Sequence, residues 1–279
     1  MDYREQFLVR SDTPVRLRDI DPSFKGQHKS KSSAAQEIQR CLKRLGQLQA
    51  LLSAQAERSV LIVLQAMDAG GKDGTIKHVF GAFNPQAASV TSFKVPTPQE
   101  QAHDFLWRVH PHTPARGQIA IFNRSHYEDV LVPRVHGLID KAQWAERYAL
   151  IRSFERGLAA NATLILKFFL HISRGEQLAR FEKRIVDPTR NWKISESDYA
   201  ERERWDAYIA AFEDALNATS THEARWYVIP ADHKWFRNLA VSQIVVDAME
   251  ELHLSFPPPS VDLAEIRRKY HKAVREQHA

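Results

Sequence analysis

One run of residues stands out for the chemistry it could do: Leu64-Gln65-Ala66-Met67-Asp68-Ala69-Gly70-Gly71-Lys72-Asp73-Gly74-Thr75. An apolar strand that runs into a Gly-rich turn, a lysine and then a helix is an arrangement that cradles phosphate. Glycines let backbone N–H groups converge on an anion, the helix start adds partial positive charge, and the lysine reaches the outer phosphates. The usual Walker A spacing is Gly-x-x-x-x-Gly-Lys-Ser/Thr. Here Ala66 holds the first glycine position and Asp73 the hydroxyl position. The plain alternative is a turn that only joins strand to helix. Its place between the apolar run Val60–Ala66 and the helical run Thr75–Phe83 favours phosphate. Ala69, Gly70, Gly71, Lys72, Asp73, Gly74 and Thr75 are the expected phosphate-binding residues. Asp68 and Asp73 would repel phosphate unless a divalent cation lay between carboxylate and phosphate oxygens, as Mg²⁺ does when it binds through one or two carboxylates. This predicts a metal-dependent phosphoryl-transfer site.

A second run supports it. Ile119-Ala120-Ile121-Phe122 ends in Asn123-Arg124-Ser125-His126-Tyr127-Glu128-Asp129. Ligands of open parallel sheets bind at the carboxyl ends of strands, and P-loop enzymes place a metal-site Asp there. Asn123 takes that place without charge, and Glu128 and Asp129 could supply the missing charge. Both acids would also sit well at a solvated helix start. Arg124 is placed to neutralise transferring phosphate. A third feature, Arg180/Lys183/Arg184, would be solvated surface charge unless the helix carrying it closes as a lid over a polyanion. His110-Pro111-His112 lacks nearby Cys or acidic partners for a metal.

The elements that must position these residues follow an alternating pattern. Val60–Ala66, Ser89–Val95, Gln118–Asn123, Ala162–Leu170 and Arg225–Pro230 read as strands, three of them nearly continuous apolar runs. Gln99–Val109, Lys141–Ala159 and Asn238–Leu252 carry apolar residues at helical spacing. The pattern predicts an α/β fold with a five-stranded parallel sheet flanked by helices. A helix–loop–helix insertion is expected at about 171–217. One helix starts near Ser173 at a Ser-x-x-Glu box and stops at Asp187-Pro188. Another starts at Ser195, with Trp205, Tyr208 and Phe212 on one face. Residues 1–57 are expected to form an N-terminal extension with one long helix over Ser33–Ala56. The core then spans 58–255, and 256–279 hold a basic C-terminal helix behind Pro257-Pro258-Pro259.

Composition narrows the classes. The chain has 279 residues, enough for a substantial core, and 10% aromatics, which argues against disorder. A single cysteine, Cys41, excludes an intrachain disulfide and any cysteine-based zinc site. The net charge of +5 permits an anionic partner without a basic tail. No apolar run approaches the ~20 residues of a membrane span. Met1–Gln6 is mixed in charge with no apolar run behind it, so no signal peptide is expected. The expectation is a soluble, cytoplasmic protein with no nucleic-acid or membrane partner.

Four co-linear blocks carry a resemblance. They are Ala66–Gly74, Phe122–Leu131, Phe168–Ser173 with Asp187-Pro188 and Asn191–Ser195, and Trp226–Asp232. Together they resemble the polyphosphate kinase 2 family over roughly residues 20–255. The resemblance implies a P-loop kinase-like core with a helical lid. It also implies Mg²⁺, with Mn²⁺ as the alternative ion, and a homo-oligomer, dimer or tetramer. The implied activity is reversible phosphate transfer between inorganic polyphosphate and nucleotides (AMP, ADP, ATP). By position, Asp68, Lys72 and Arg124 resemble catalytic residues. Asp68, Asn123, Glu128 and Asp129 make up the implied metal set, and Arg180, Arg184 and Lys193 resemble lid positions facing phosphate. The Asn123–Asp129 version resembles the class III subgroup, which acts on both AMP and ADP. The competing enzyme reading is an ATP-dependent nucleotide or small-molecule kinase on the same fold.

Overall fold

The computed structural model describes residues 1–277. In chain order the elements are α1 (Tyr3–Gln6), α2 (Lys31–Gln55), β1 (Ser59–Ala66), α3 (Lys72–His78), β2 (Ala88–Ser92), α4 (Pro98–Gln101), β3 (Ile119–Asn123), α5 (Glu128–Val135) and α6 (Lys141–Ala160). They continue with β4 (Thr163–His171), α7 (Arg174–Val186), α8 (Glu196–Glu203), α9 (Trp205–Thr219), β5 (Ala224–Pro230), α10 (Lys234–Glu250) and α11 (Leu263–Gln277). The five strands form one parallel sheet in the order β2-β3-β1-β4-β5. Every residue of β1 is buried, as expected of a central strand covered on both faces.

This topology positions the site. The chain leaves β1 toward β2 on one side and leaves β3 toward β4 on the other. The crevice at the carboxyl ends of β1 and β3 is therefore the switch point where such sheets bind ligands. Register pairs Leu64 with Asn123, so the turn after β3 faces the loop after β1.

Four expectations are corrected. Residues 1–57 are no appendage: Tyr3, Phe7, Val9 and Leu17 are buried, Val9 donates to the Trp226 carbonyl along the edge of β5, and α2 lies against α10. The helix expected over Gln99–Val109 is only the four residues of α4, because the Asp104 carboxylate takes the Leu106 N–H (3.0 Å) and turns the chain. The helix expected from Ser195 breaks at Arg204 into α8 and α9. The insertion is shorter than 171–217: β4 runs to His171, and α9 belongs to the core, where Phe212 packs on Phe169 with ring centroids 4.4 Å apart.

A polar knot braces the site from below. Lys167, fully buried in β4, donates to Glu155 Oε2 (2.7 Å), Tyr127 OH (2.9 Å) and the Thr219 carbonyl (2.8 Å). His126 Nε2 lies 3.2 Å from Glu155 Oε1, and the Tyr127 hydroxyl donates to the same oxygen at 2.9 Å. The turn that carries Asn123 and Arg124 is thus tied through its next residues to α6, β4 and α9. Burial pushes the Glu155 carboxyl up, but Lys167 and His126 outweigh it and hold its pKa below the ordinary value.

Removing one partner would strand the other charge in the interior. Glu155→Ala is expected to lower unfolding free energy by about 3–5 kcal/mol, measured by urea denaturation at neutral pH. Because the folded-state pKa lies below the ordinary 4.5, this contribution is whole above pH 4.5 and fades as pH falls through the folded value. The stability difference between wild type and Glu155→Gln should therefore shrink in acid.

Candidate active site

The loop after β1 owes its shape to two things: a left-handed residue that only glycine adopts easily, and a helix that grips its carbonyls. Gly71 has φ +106°, and a Cβ there would collide with Arg237 Nη1. No side chain caps α3, so its first-turn N–H groups stay free for an anion. From above, Gln177 on α7 donates to the Asp68 carbonyl (3.0 Å) and Arg180 to the Ala69 carbonyl (2.8 Å). Lys72 Nζ lies 3.0 Å from the Ala66 carbonyl. Burial and the nearby Arg124 lower its pKa, opposed by Asp68, Glu128 and Asp73.

The facing turn supplies the second half. Arg124 adopts φ +62°, rare for a side chain of this size and typical of residues held for function. Its guanidinium donates to Asp68 Oδ1 at 3.0 Å and stands 3.8 Å from Glu128 Oε2. Burial opposes its charge, but Glu128 and Asp68 outweigh that and keep it firmly protonated. Asn123 donates to Asp73 Oδ1 (2.9 Å), and Lys193 reaches Asp73 Oδ2 (3.3 Å) from the insertion. Asp73 therefore joins the phosphate loop, the strand end and the insertion.

Around these groups lies a cleft of about 1160 Å³. It is lined by Asp68 to Gly74, Asn123, Arg124, Arg180, Arg184 and Lys193, which brings most of the sequence-predicted residues together. Three do not face it. Thr75 is buried, with its hydroxyl on the Gly71 carbonyl (3.2 Å). Glu128 lies under Arg124, and burial raises its pKa. Asp129, expected as a metal ligand, points the other way into a buried ion pair with Arg108 (2.8 Å), while Arg147 holds its carbonyl. That pairing uses up its charge, so the metal set is corrected to exclude it. Among the described residues no three His, Cys, Asp or Glu side chains form a metal cage. Glu128, off the cleft under Arg124, leaves the set as well; Asp68 and Asn123 stay, and Asp73 beside Asn123 adds a carboxylate, which suits an ion held by few carboxylates and the substrate's own phosphates.

Sequence reading missed several cations of the cleft: Lys31, Lys94, Arg190, Lys234 and Arg237. Lys234 and Arg237 lie in the first turn of α10, just past the carboxyl end of β5. The rule that ligands gather at strand ends could have found them. Arg184 and Arg180 line the cleft with much of their bonding satisfied. Arg184 donates to the Lys193 carbonyl (2.9 Å), and Arg180 also to Glu176 (2.7 Å) and the Ala231 carbonyl (2.5 Å).

Comparison with known proteins adds an independent line. The family model described as "Polyphosphate kinase 2 (PPK2)" matches residues 28–257. An "AMP/ADP-polyphosphate phosphotransferase" of Meiothermus ruber is 48% identical over 256 residues, covering 91% of this chain and 96% of its own. An "ADP-polyphosphate phosphotransferase" of Rhodopseudomonas palustris is 43% identical, covering 98% and 97%. The crystal structure of a polyphosphate kinase 2 from Arthrobacter aurescens TC1 superposes with a TM-score of 0.94 at 39% identity, over 98% of this chain and 97% of that one.

Gly71→Ala tests the loop. The left-handed backbone and the collision with Arg237 should cost about 1–3 kcal/mol of stability. The stabilisation that inorganic tripolyphosphate gives in a thermal-shift titration should also fall. An unchanged titration would mean that the loop does not hold phosphate.

Proposed function

Because the chain belongs to the polyphosphate kinase 2 family, we propose that it transfers phosphate reversibly between inorganic polyphosphate and nucleoside mono- and diphosphates. The observation that carries this is the convergence of Lys72, Arg124 and Asp68 at the ends of β1 and β3, in a cleft whose charged lining is mostly lysine and arginine. A polymer with one negative charge or more per phosphate suits such a lining.

The acceptor's terminal phosphate oxygen attacks the end phosphorus of the polymer in line. The bond from that phosphorus to the bridging oxygen breaks, and the polymer leaves one unit shorter. The nucleophile is already ionised near neutral pH, so positioning and charge neutralisation supply the acceleration. Arg124 neutralises the transferring group, and Asp68 fixes the Arg124 guanidinium. Lys72 and the loop N–H groups hold the donor. Gln177 and Arg180 keep the loop in shape. A Mg²⁺ ion, or Mn²⁺, held by Asp68 with Asp73 or Asn123 nearby, would neutralise charge shared between donor and acceptor phosphates.

The finer reading is activity on both AMP and ADP. The name of the Meiothermus relative and the Asn123–Asp129 pattern support it. A dimer or tetramer belongs to the same reading. Supporting it, Leu263, Ile266 and Tyr270 form an apolar stripe on α11 that is exposed in the single chain. No helix among the described residues is long and apolar enough to cross a membrane. Cytoplasmic placement, where nucleotides are abundant, completes the proposal.

The deciding experiment mixes purified protein with long-chain polyphosphate, Mg²⁺ and either ADP or AMP, with no ATP, and follows nucleotides by chromatography. ATP from ADP is expected, and ATP from AMP by way of ADP. Product from AMP that stops at ADP would restrict the acceptor range. No product from either would shift the reading to an ATP-dependent kinase. Removing divalent ions with EDTA should abolish turnover and Mg²⁺ should restore it. Turnover that persists in EDTA would rule out a bridging ion. Lys72→Ala and Asp68→Ala should each lower kcat by about a hundredfold or more with the thermal transition retained.

A further inference from the structure

Arg237 is the largest charged side chain that is almost completely buried, at 1% exposure, and no acid pairs with it among the described residues. Buried charges are normally paired because desolvation is costly. The chain's other deeply buried cations obey this rule: Lys167 has Glu155, Arg108 has Asp129, and Arg180 has Glu176. Arg237 has instead the neutral carboxamide of Asn238. Both Nε (3.1 Å) and Nη2 (2.7 Å) donate to Asn238 Oδ1. That grip orients the guanidinium and leaves its charge intact. It also turns Nη1 onto Gly71, where only a glycine lets it approach, and Nη2 toward Gly74.

The surroundings heighten the excess. Arg180 Nη1 approaches the same glycine, and Lys183 and Lys234 line the same side of the cleft. Glu176, already on Arg180, is the nearby acid. Burial and Arg180 push the Arg237 pKa down, and burial with Arg180, Lys183 and Arg237 does the same to Lys234. The transferring groups have other partners: Lys72 Nζ sits on the Ala66 carbonyl and Arg124 on Asp68, whereas Arg237 reaches the loop from α10 at Gly71 and Gly74. A multivalent anion that enters the cleft and passes the phosphate loop would supply the missing counter-charge.

We propose that Arg237, oriented by Asn238 behind the phosphate loop, binds the polyphosphate donor beyond the phosphate that is transferred and thereby selects a polymeric donor. The inference rests on the reading of this site as a polyphosphate-dependent transferase and adds which residue distinguishes a long donor from a short one. It gives Arg237 no part in acceptor binding.

The test compares wild type, Arg237→Gln and Arg237→Lys with long-chain polyphosphate or tripolyphosphate as donor and ADP as acceptor. Loss of a charge-assisted contact is expected to raise the KM for long-chain polyphosphate about tenfold or more in Arg237→Gln, with kcat and the KM for ADP little changed. The preference for long-chain donor over tripolyphosphate should narrow. Arg237→Lys, which keeps the charge but loses the fork, should fall between. Thermal denaturation supplies a readout independent of turnover. Without ligand, Arg237→Gln should melt no lower than wild type, because an uncompensated charge has been removed. The upward shift given by long-chain polyphosphate should shrink. An unchanged donor KM would overturn the proposal. So would an equal rise in the KM for ADP, or a ligand-free melting loss in Arg237→Gln that Arg237→Lys restores with donor KM unaffected. If wild type fails to turn over polyphosphate at all, the transferase reading fails. The thermal shifts then still decide whether Arg237 binds the polyanion.

Discussion

The site depends on the parallel pairing of β1 with β3. That pairing sets Leu64 beside Asn123 and fixes the spacing between two loops that share no sequence continuity. Everything chemical hangs from the ends of these strands. The Gly-rich loop leaves one, and the Asn123-Arg124 turn leaves the other. A slip of one residue would turn Asn123 to the opposite face of the sheet and take its hydrogen bond to Asp73 with it. The pairing is protected by burial on both faces and by the knot of Lys167, Glu155 and Tyr127 directly behind the turn. The knot's charges are spent on one another, so its work is to hold position.

The cleft handles charge in two ways. On the transfer side, cations face acids: Arg124 with Asp68, and Lys193 with Asp73. Such pairs orient the arginine and lysine and can exchange partners when phosphate or a metal arrives. Behind the loop, Arg237 is held by an amide, and Arg180 is held by backbone carbonyls as well as by Glu176. Carbonyls and amides fix a guanidinium without cancelling its charge. The result is an anion path that is preorganised at an electrostatic cost in the free protein.

The insertion connects these halves. Gln177 and Arg180 reach down from α7 to the loop carbonyls, Lys193 reaches Asp73, and Ser173 N–H donates to Asp232 at the end of β5 (2.8 Å). Motion of α7 would therefore change the loop's shape and the donor side together, which couples closure to phosphate binding.

Strand count, the parallel sheet, the Gly-rich loop and the strand-end turn were legible in the chain, because fully buried strands write continuous apolar runs and a left-handed turn needs glycine. Local spacing also placed Asp68, Lys72 and Arg124 at strand ends, where they line one cleft. Local spacing could not show that Asp129 turns to Arg108, since helix-start acids read alike whether they face a cleft or a buried arginine. Nor could it show that Asp104 stops a helix at α4, or that residues 1–57 join the core. The role of Arg237 was also hidden. A lone arginine on a helix carries no signal until the packing of α10 on the loop brings it to Gly71 with no acid beside it. The sequence by itself determined the strands and the Gly-rich and strand-end loops that could meet phosphate, because backbone conformation and hydrophobic period are local properties. Only the tertiary structure decided which charges are left unpaired, because pairing depends on what distant elements bring within about 4 Å.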